Sequence, residues 1–289
     1  MDGVRRRPTL AGAISAGALI AVAAGGVYVA LGVVGGSGPS RIHEAAAAEP
    51  GSGGAGAGAA PASVVRRVVI GRSVRGRPIV AWAFGPDRAR RRVLVVGCIH
   101  GDECAGLAIT SVLRHTPVPI GVQLWLVPEM NPDGTAADTR QNAHGVDLNR
   151  NFPYRWRPIS DPTYHSGPYP ASEPETRAAM GLVRRIRPVV TIWYHQHMNL
   201  VDMAGGDRGV ARRYAQIAGL TPTCLTFLTG VETAWSNHNF PGTTAFVVEL
   251  PAGPVAPGAL MGHVRAVRAM ELGQRSGSPT HCDSITPAA

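Results

Sequence analysis

The sequence predicts an α/β fold: a three-layer α/β/α arrangement around a mixed, mostly parallel central sheet. Three observations carry this expectation. Apolar, β-branched runs such as "RVLVVGCI" (residues 92–99) have the pattern of strands buried on both faces. Helical segments alternate with those runs, as in sheets covered by helices on both sides. An apparent antiparallel hairpin precedes them, which makes the sheet mixed.

The elements follow in chain order. "RRVVIG" and "RPIVAWAFG" flank Arg72 to Gly76 and form the hairpin. After the first buried run, "ECAGLAITSVLRHT" carries helix signals. "VQLWLVPEM" (Val122 to Met130) is the next strand, ended by a turn at "NPDG". "SEPETRAAMGLVRRI" reads as a helix opened by a capping box, with Ser172 as N-cap, Pro174 in the first turn and Glu175 at the third helical position. "PVVTIWYH" (Pro188 to His195) is a buried strand, and "GVARRYAQIAGL" an amphipathic helix. "TTAFVVEL" (Thr243 to Leu250) is the last strand and "GALMGHVRAVRAMELG" the closing helix.

Composition sets the outer bounds. The 289 residues are 45% hydrophobic and 16% charged, enough apolar material for a sizeable core. The net charge is +9, and every basic side chain is arginine. Arginine in place of lysine suggests a GC-rich genome. The arginines are scattered, in pairs such as Arg66-Arg67 and Arg184-Arg185, without the aromatic interleaving of a nucleic-acid groove, so no nucleic-acid partner is expected. A cationic surface is compatible with an anionic polymer such as a cell wall.

The first part of the chain is biased. Residues 1–48 combine three arginines at "MDGVRRRPTL" with a small-residue apolar run from Ala11 to about Gly36, the pattern of an export signal or signal anchor. "RRPTL" is a partial twin-arginine match, and "AAAAEP" offers A-x-A cleavage sites. The body of the protein is therefore expected outside the cytoplasm, either secreted or held at a membrane only through an uncleaved anchor. Residues 49–63 form an Ala/Gly/Pro-rich linker, residues 64–275 the expected catalytic domain, and residues 276–289 a tail. Four cysteines in an oxidising compartment invite disulfides, with Cys98–Cys104 and Cys224–Cys282 the preferred pairing.

Polar residues collect at strand ends. His100 and Glu103 follow one strand, His195 ends a second and Glu249 nearly ends a third. In open α/β sheets ligands bind outside the carboxyl ends of the strands. Two histidines and a carboxylate make a three-ligand catalytic zinc set with a fourth position free, so His100, Glu103 and His195 are the expected ligands. His197 competes with His195, because alternation places both on one strand face. Cys98, His100 and Cys104 form a rival metal set. Glu249, an acid ending a buried strand, suits a general base that then acts as acid to a leaving amine. "DTRQNAHGVDLNRNFP" gathers Arg140, Asn149 and Arg150; one guanidinium fork suits a carboxylate and another a developing oxyanion.

The order HGDE, NPDG, TRQN, GVDLNRNF, SGPYPASEPET, a strand-end histidine and FVVELP resembles the zinc carboxypeptidase (funnelin) family over roughly Val65 to Met270. The "HGDE" and "TRQNAHGVDLNRNFP" wording is similar to that of bacterial murein peptide amidase A-like members. The resemblance implies one Zn2+ on His100, Glu103 and the histidine after "TIWY", which favours His195 over His197. It also implies Asp147 behind His100, Arg140 on the scissile carbonyl, Asn149 and Arg150 on the terminal carboxylate of the substrate, and Glu249 as general base. The implied activity is hydrolysis beside a carboxylate-bearing terminal residue, with γ-D-glutamyl-diaminopimelate in cell-wall peptides as the expected substrate. A general carboxypeptidase acting on L-peptides is the main alternative. A deacylase of N-acyl amino acids and a non-catalytic wall-binding protein follow. One departure bears on specificity: "TCLTFLTGVETAWSNHNFPGTTAF" contains no tyrosine where digestive carboxypeptidases carry one.

Overall fold

In the computed structural model the described residues are 65–225, 229–276 and 284–285, and all of them fall in one compact unit. The expected export segment and linker, residues 1–63, lie outside the described residues, as do Cys282 and most of the tail. Among the described residues no helix is long and apolar enough to cross a membrane.

β1 (Val65–Arg72) and β2 (Pro78–Phe84) form the expected antiparallel hairpin. β2 pairs antiparallel with β4 (Val122–Glu129), and β4 runs parallel to β3 (Arg91–Cys98), the central buried strand. β3 in turn runs parallel to β5 (Val190–Asp202). Alternate residues of β3 enter two separate cores. Val93 and Val95 pack with α1 (Gly106–Leu113), α4 (Arg208–Ala218) and α6 (Pro257–Glu271), through Ile109, Tyr214 and Val267 among others. Leu94 and Val96 pack with α3 (Pro174–Ile186) and α5 (Glu232–Asn239), through Leu182, Val183 and Trp235. These two cores make the three layers, and they explain why β3 reads as a continuous apolar run: neither of its faces meets water.

β5 extends well past the expected end at His195. Its first half, residues 190–196, runs parallel to β7 (Thr244–Pro251), with His195 opposite Glu249. The register shifts after His197, and Asn199 takes a positive φ of 55°. The last three residues then pair with β7 in the reverse sense: Leu200 with Glu249, Val201 with Val248 and Asp202 with Val247. The same three residues run parallel to β6 (Thr221–Leu225), which carries the two-residue β8 (Ser284–Ile285).

Two local expectations are corrected. "NPDG" opens a short helix, α2 (Pro132–Ala137): the Asn131 side chain accepts the Gly134 N–H at 2.9 Å and Pro132 takes the first helical position, which is helix-start chemistry. The capping box of α3 does not form. Glu173 occupies the N-cap without a side-chain cap bond, while Ser172 Oγ donates to Glu173 and accepts from Asn151 Nδ2. Glu175 accepts instead from the Val74 N–H and from Asn142 Nδ2. Both residues are committed to tertiary bonds that local spacing does not encode.

Candidate metal centre and its pocket

β3 ends at Cys98, and the turn that follows delivers His100 and Glu103, closed by the Glu103 N–H to the His100 carbonyl at 3.1 Å. A Cys98–Cys104 disulfide brackets this turn, as preferred from the sequence, and rules out the rival Cys98/His100/Cys104 metal set because both sulfurs are bonded to each other. Cys224 is also disulfide-bonded. Gly101 lies against α2 so closely that a Cβ there would sit 2.0 Å from the Gly134 carbonyl carbon. Only glycine permits that approach.

β5 brings His195 to the same point. His100 Nδ1 lies 2.9 Å from Glu103 Oε2, His195 Nδ1 lies 3.1 Å from that oxygen, and the two Nδ1 atoms are 3.2 Å apart. Both histidines are buried. His197, by contrast, is exposed and stands outside the triad. Burial opposes charge on both partners, yet the Asp147 and Glu103 carboxylates raise His100, and His100 and His195 hold Glu103 far below the usual carboxylate range. The site is built to hold positive charge among three acceptor atoms.

Behind the triad, Asp147 is fully buried. Its Oδ1 accepts from His100 Nε2 at 2.9 Å and from the Asn149 N–H at 2.8 Å, and its Oδ2 accepts from Arg140 Nε at 3.0 Å. Burial pushes Asp147 up, but His100 and Arg140 more than offset this and hold it well below its ordinary value. The Asn149 bond starts a one-turn 3-10 helix, Leu148–Arg150, and this turn buries Asn149 and Arg150 instead of leaving them on a surface loop. The Asn149 carbonyl oxygen Oδ1 accepts the Glu232 N–H at 3.0 Å, which leaves its amide donors for the pocket. Gly230, with φ 66°, lies under the Arg150 carbonyl so tightly that a Cβ would come within 2.2 Å of it.

One cavity of about 280 Å³ joins these groups. Glu103, Arg140, Asn149, Arg150, His195 and Glu249 all line it. Arg140 reaches Glu103 Oε1 at 2.5 Å and Asp147 at 3.0 Å, so its guanidinium is held in place with donors to spare. Arg150 is 6% exposed, and among the described residues no carboxylate lies within ion-pair distance of it. Glu249 Oε2 is buried without a hydrogen-bond partner. The cavity is also lined by Tyr164 and Asp202, which nothing in the sequence singles out. The Tyr164 ring sits 5.2 Å from the Arg140 guanidinium carbon and 5.4 Å from that of Arg150. It places a tyrosine at the pocket from a loop other than the one that lacks it.

The three converging atoms fit a zinc ion. Bonds of about 2.0–2.1 Å in a tetrahedral set give ligand–ligand edges of about 3.3 Å, close to the observed triangle of 2.9, 3.1 and 3.2 Å. Two imidazole nitrogens and one carboxylate oxygen, all lone-pair donors, are also a zinc donor set.

An α/β/α sheet with a His-Glu-His cluster at its carboxyl edge defines a metallohydrolase-like architecture. The zinc carboxypeptidase family model matches residues 57–209, just over half of the chain. The chain belongs to the zinc carboxypeptidase family. It is similar to murein peptide amidase A of Escherichia coli (strain K12), 34% identical over 145 residues, covering 46% of this chain and 60% of that protein. The corresponding protein of Vibrio campbellii is 32% identical over 146 residues, covering 46% and 58%. The matched region thus spans about three fifths of these curated relatives. Among solved structures, murein-tripeptide amidase from Escherichia coli O157 superposes with a TM-score of 0.56 at 26% identity, covering 78% of this chain and 96% of that one. Carboxypeptidase A from Helicoverpa armigera shares the fold, with a TM-score of 0.62 at 18% identity, covering 71% and 67%.

Proposed function

We propose that this chain is an exported zinc metallopeptidase that hydrolyses the amide bond next to a carboxylate-bearing terminal residue, with the γ-D-glutamyl-diaminopimelate bond of cell-wall peptides as its substrate. The observation that carries the reading is the meeting, in one cavity, of a zinc-type triad, an acid with an unpartnered buried oxygen and a buried guanidinium that has no ion-pair partner among the described residues. Similarity to murein peptide amidases supports the cell-wall substrate, and the pattern of residues 1–48 supports export.

His100, Glu103 and His195 would hold the metal, with Asp147 fixing His100. A zinc ion bound there supplies Lewis acidity to a carbonyl and lowers the pKa of water to about 7. Glu249 takes a proton from the attacking water and delivers one to the departing amine. Arg140, braced by Asp147 and Glu103, directs its remaining N–H groups to the oxygen on which negative charge develops. Arg150 and the Asn149 amide grip the terminal carboxylate, and Tyr164 covers both guanidinium groups.

The test is mass spectrometry of the full chain incubated with L-Ala-γ-D-Glu-meso-diaminopimelate beside an ordinary L-peptide, each with zinc and with a chelator. Chelator-sensitive release of diaminopimelate from the first substrate alone is expected. Trimming of the L-peptide alone would replace the reading with a general carboxypeptidase.

A further inference from the structure

Asp202 is an acid that the proposed chemistry does not use. It reaches the cavity because β5 doubles back along β7, which sets Asp202 opposite Val247, two residues from Glu249. Its Oδ1 is held by two N–H groups from different segments, Ala204 at 2.9 Å and Leu225 at 3.0 Å. These bonds fix the carboxylate without neutralising it. Among the described residues no arginine or histidine forms an ion pair with it. Leu225, Val247 and Ala204 line the cavity beside it, so the wall around this charge is apolar.

A carboxylate held in a mostly apolar pocket with no cation is costly unless something in the pocket answers its charge. Holding the two N–H groups would not require an acid, because an asparagine oxygen accepts as well. The same cavity contains a complementary feature in Arg150, a buried cation with no carboxylate within ion-pair distance among the described residues. A ligand that satisfies both carries a carboxylate and, separately, an ammonium group.

We infer that Asp202 is a specificity residue that binds the side-chain ammonium of the leaving amino acid, so that the pocket selects diamino acids over aliphatic ones. The inference rests on the proposed peptidase reading and names the substrate class of that site: a terminal residue with its carboxylate at Arg150 and an amine further along its side chain. Burial and the charge of Glu249 push the Asp202 carboxyl up to about 6, which leaves it ionised at neutral pH. An N⁺–H···O⁻ bond formed there, out of bulk water, discriminates strongly against a methyl group in the same position. Diaminopimelate and lysine both meet the requirement, and norleucine matches lysine in shape without the charge.

The experiment compares wild type and Asp202→Asn, both full-length and zinc-loaded, in two ways. Turnover is measured on matched γ-D-glutamyl peptides ending in meso-diaminopimelate, lysine or norleucine. Binding of the three free amino acids is measured by calorimetry. Zinc content and melting temperature check that the variant is folded. The expected result is a wild-type preference for the diamino acids, in kcat/KM and in affinity, that falls on the order of 10- to 100-fold in Asp202→Asn. A larger effect on diaminopimelate than on lysine would identify the wall-derived residue as the source. An unchanged ratio in Asp202→Asn, or no preference in wild type, overturns the inference. If no peptide is cleaved, the peptidase reading fails, and the calorimetric ratio still decides the role of Asp202.

Discussion

His100 Nε2 donates to Asp147 Oδ1 at 2.9 Å, with both side chains sealed from solvent. This bond fixes the tautomer of His100: the proton is on Nε2, so the Nδ1 lone pair points at Glu103 and His195. Asp147→Asn keeps the shape but weakens the acceptor and breaks the Arg140 pairing. Its zinc affinity is expected to fall on the order of 10- to 100-fold, measured by competition with a chromogenic chelator. Wild-type affinity in this variant would mean that Asp147 does not orient the site.

Removal of a ligand is more severe. His195→Ala leaves two donors, and stoichiometric zinc binding is expected to be lost together with activity, as read by metal analysis after dialysis. His197→Ala is expected to retain one zinc per chain, because the exposed His197 stands outside the triad. The reverse pattern would transfer the ligand role to His197.

The Cys98–Cys104 disulfide closes a short loop around two proposed ligands. For a loop of this length the chain-entropy estimate is about 2 kcal/mol of stability. The Cys98→Ala/Cys104→Ala double variant is expected to melt at lower temperature and to bind zinc more weakly, since His100 and Glu103 are then held by the turn alone. Thermal scans with and without zinc measure both effects.

Arg150 is the expected anchor for a substrate carboxylate. Arg150→Ala is predicted to lower kcat/KM on the order of 100-fold or more. Blocking the terminal carboxylate as an amide should cost wild type a similar factor and cost the variant little further. A full additional loss in the variant would place the carboxylate elsewhere.

Much of this architecture was legible in the sequence. The buried runs at Arg92–Ile99 and Thr243–Leu250 declare their strands, and the histidines and acids at their ends stand out because a buried strand seldom ends in charge without a reason. The reversal of β5 was not legible. Nothing in "HQHMNLVD" shows that the chain turns at Asn199 and pairs with the other side of β7, so Asp202 could not be assigned to the pocket. Tyr164 was hidden for a similar reason, since its loop reaches the cavity only through folding. α5 and β6 were overlooked because α5 is short and has little amphipathic contrast, and β6 is five residues long.

Glu232, at the start of α5, supplies a prediction about pH. It is fully buried, its Oε2 has no partner, and burial pushes it up to about 8 despite the hydrogen bond from Ser236. The folded state therefore favours the protonated form more than the unfolded chain does. The contribution is full below the unfolded pKa of about 4.5 and is lost as pH rises towards 8. Glu232→Gln mimics the neutral acid. It is expected to flatten the decline in melting temperature between pH 5 and about pH 8, and to be more stable than wild type at the upper end. A parallel decline in both proteins would show that Glu232 is not the group responsible.

The most direct measurement is zinc content together with turnover of the γ-D-glutamyl-diaminopimelate peptide, in wild type and in Glu249→Gln. One zinc per chain is expected in both proteins, with chelator-sensitive cleavage by wild type and a rate lower by on the order of 100- to 10,000-fold in the variant. Zinc-loaded Glu249→Gln working at the wild-type rate, or wild-type cleavage that survives metal removal, would contradict this expectation.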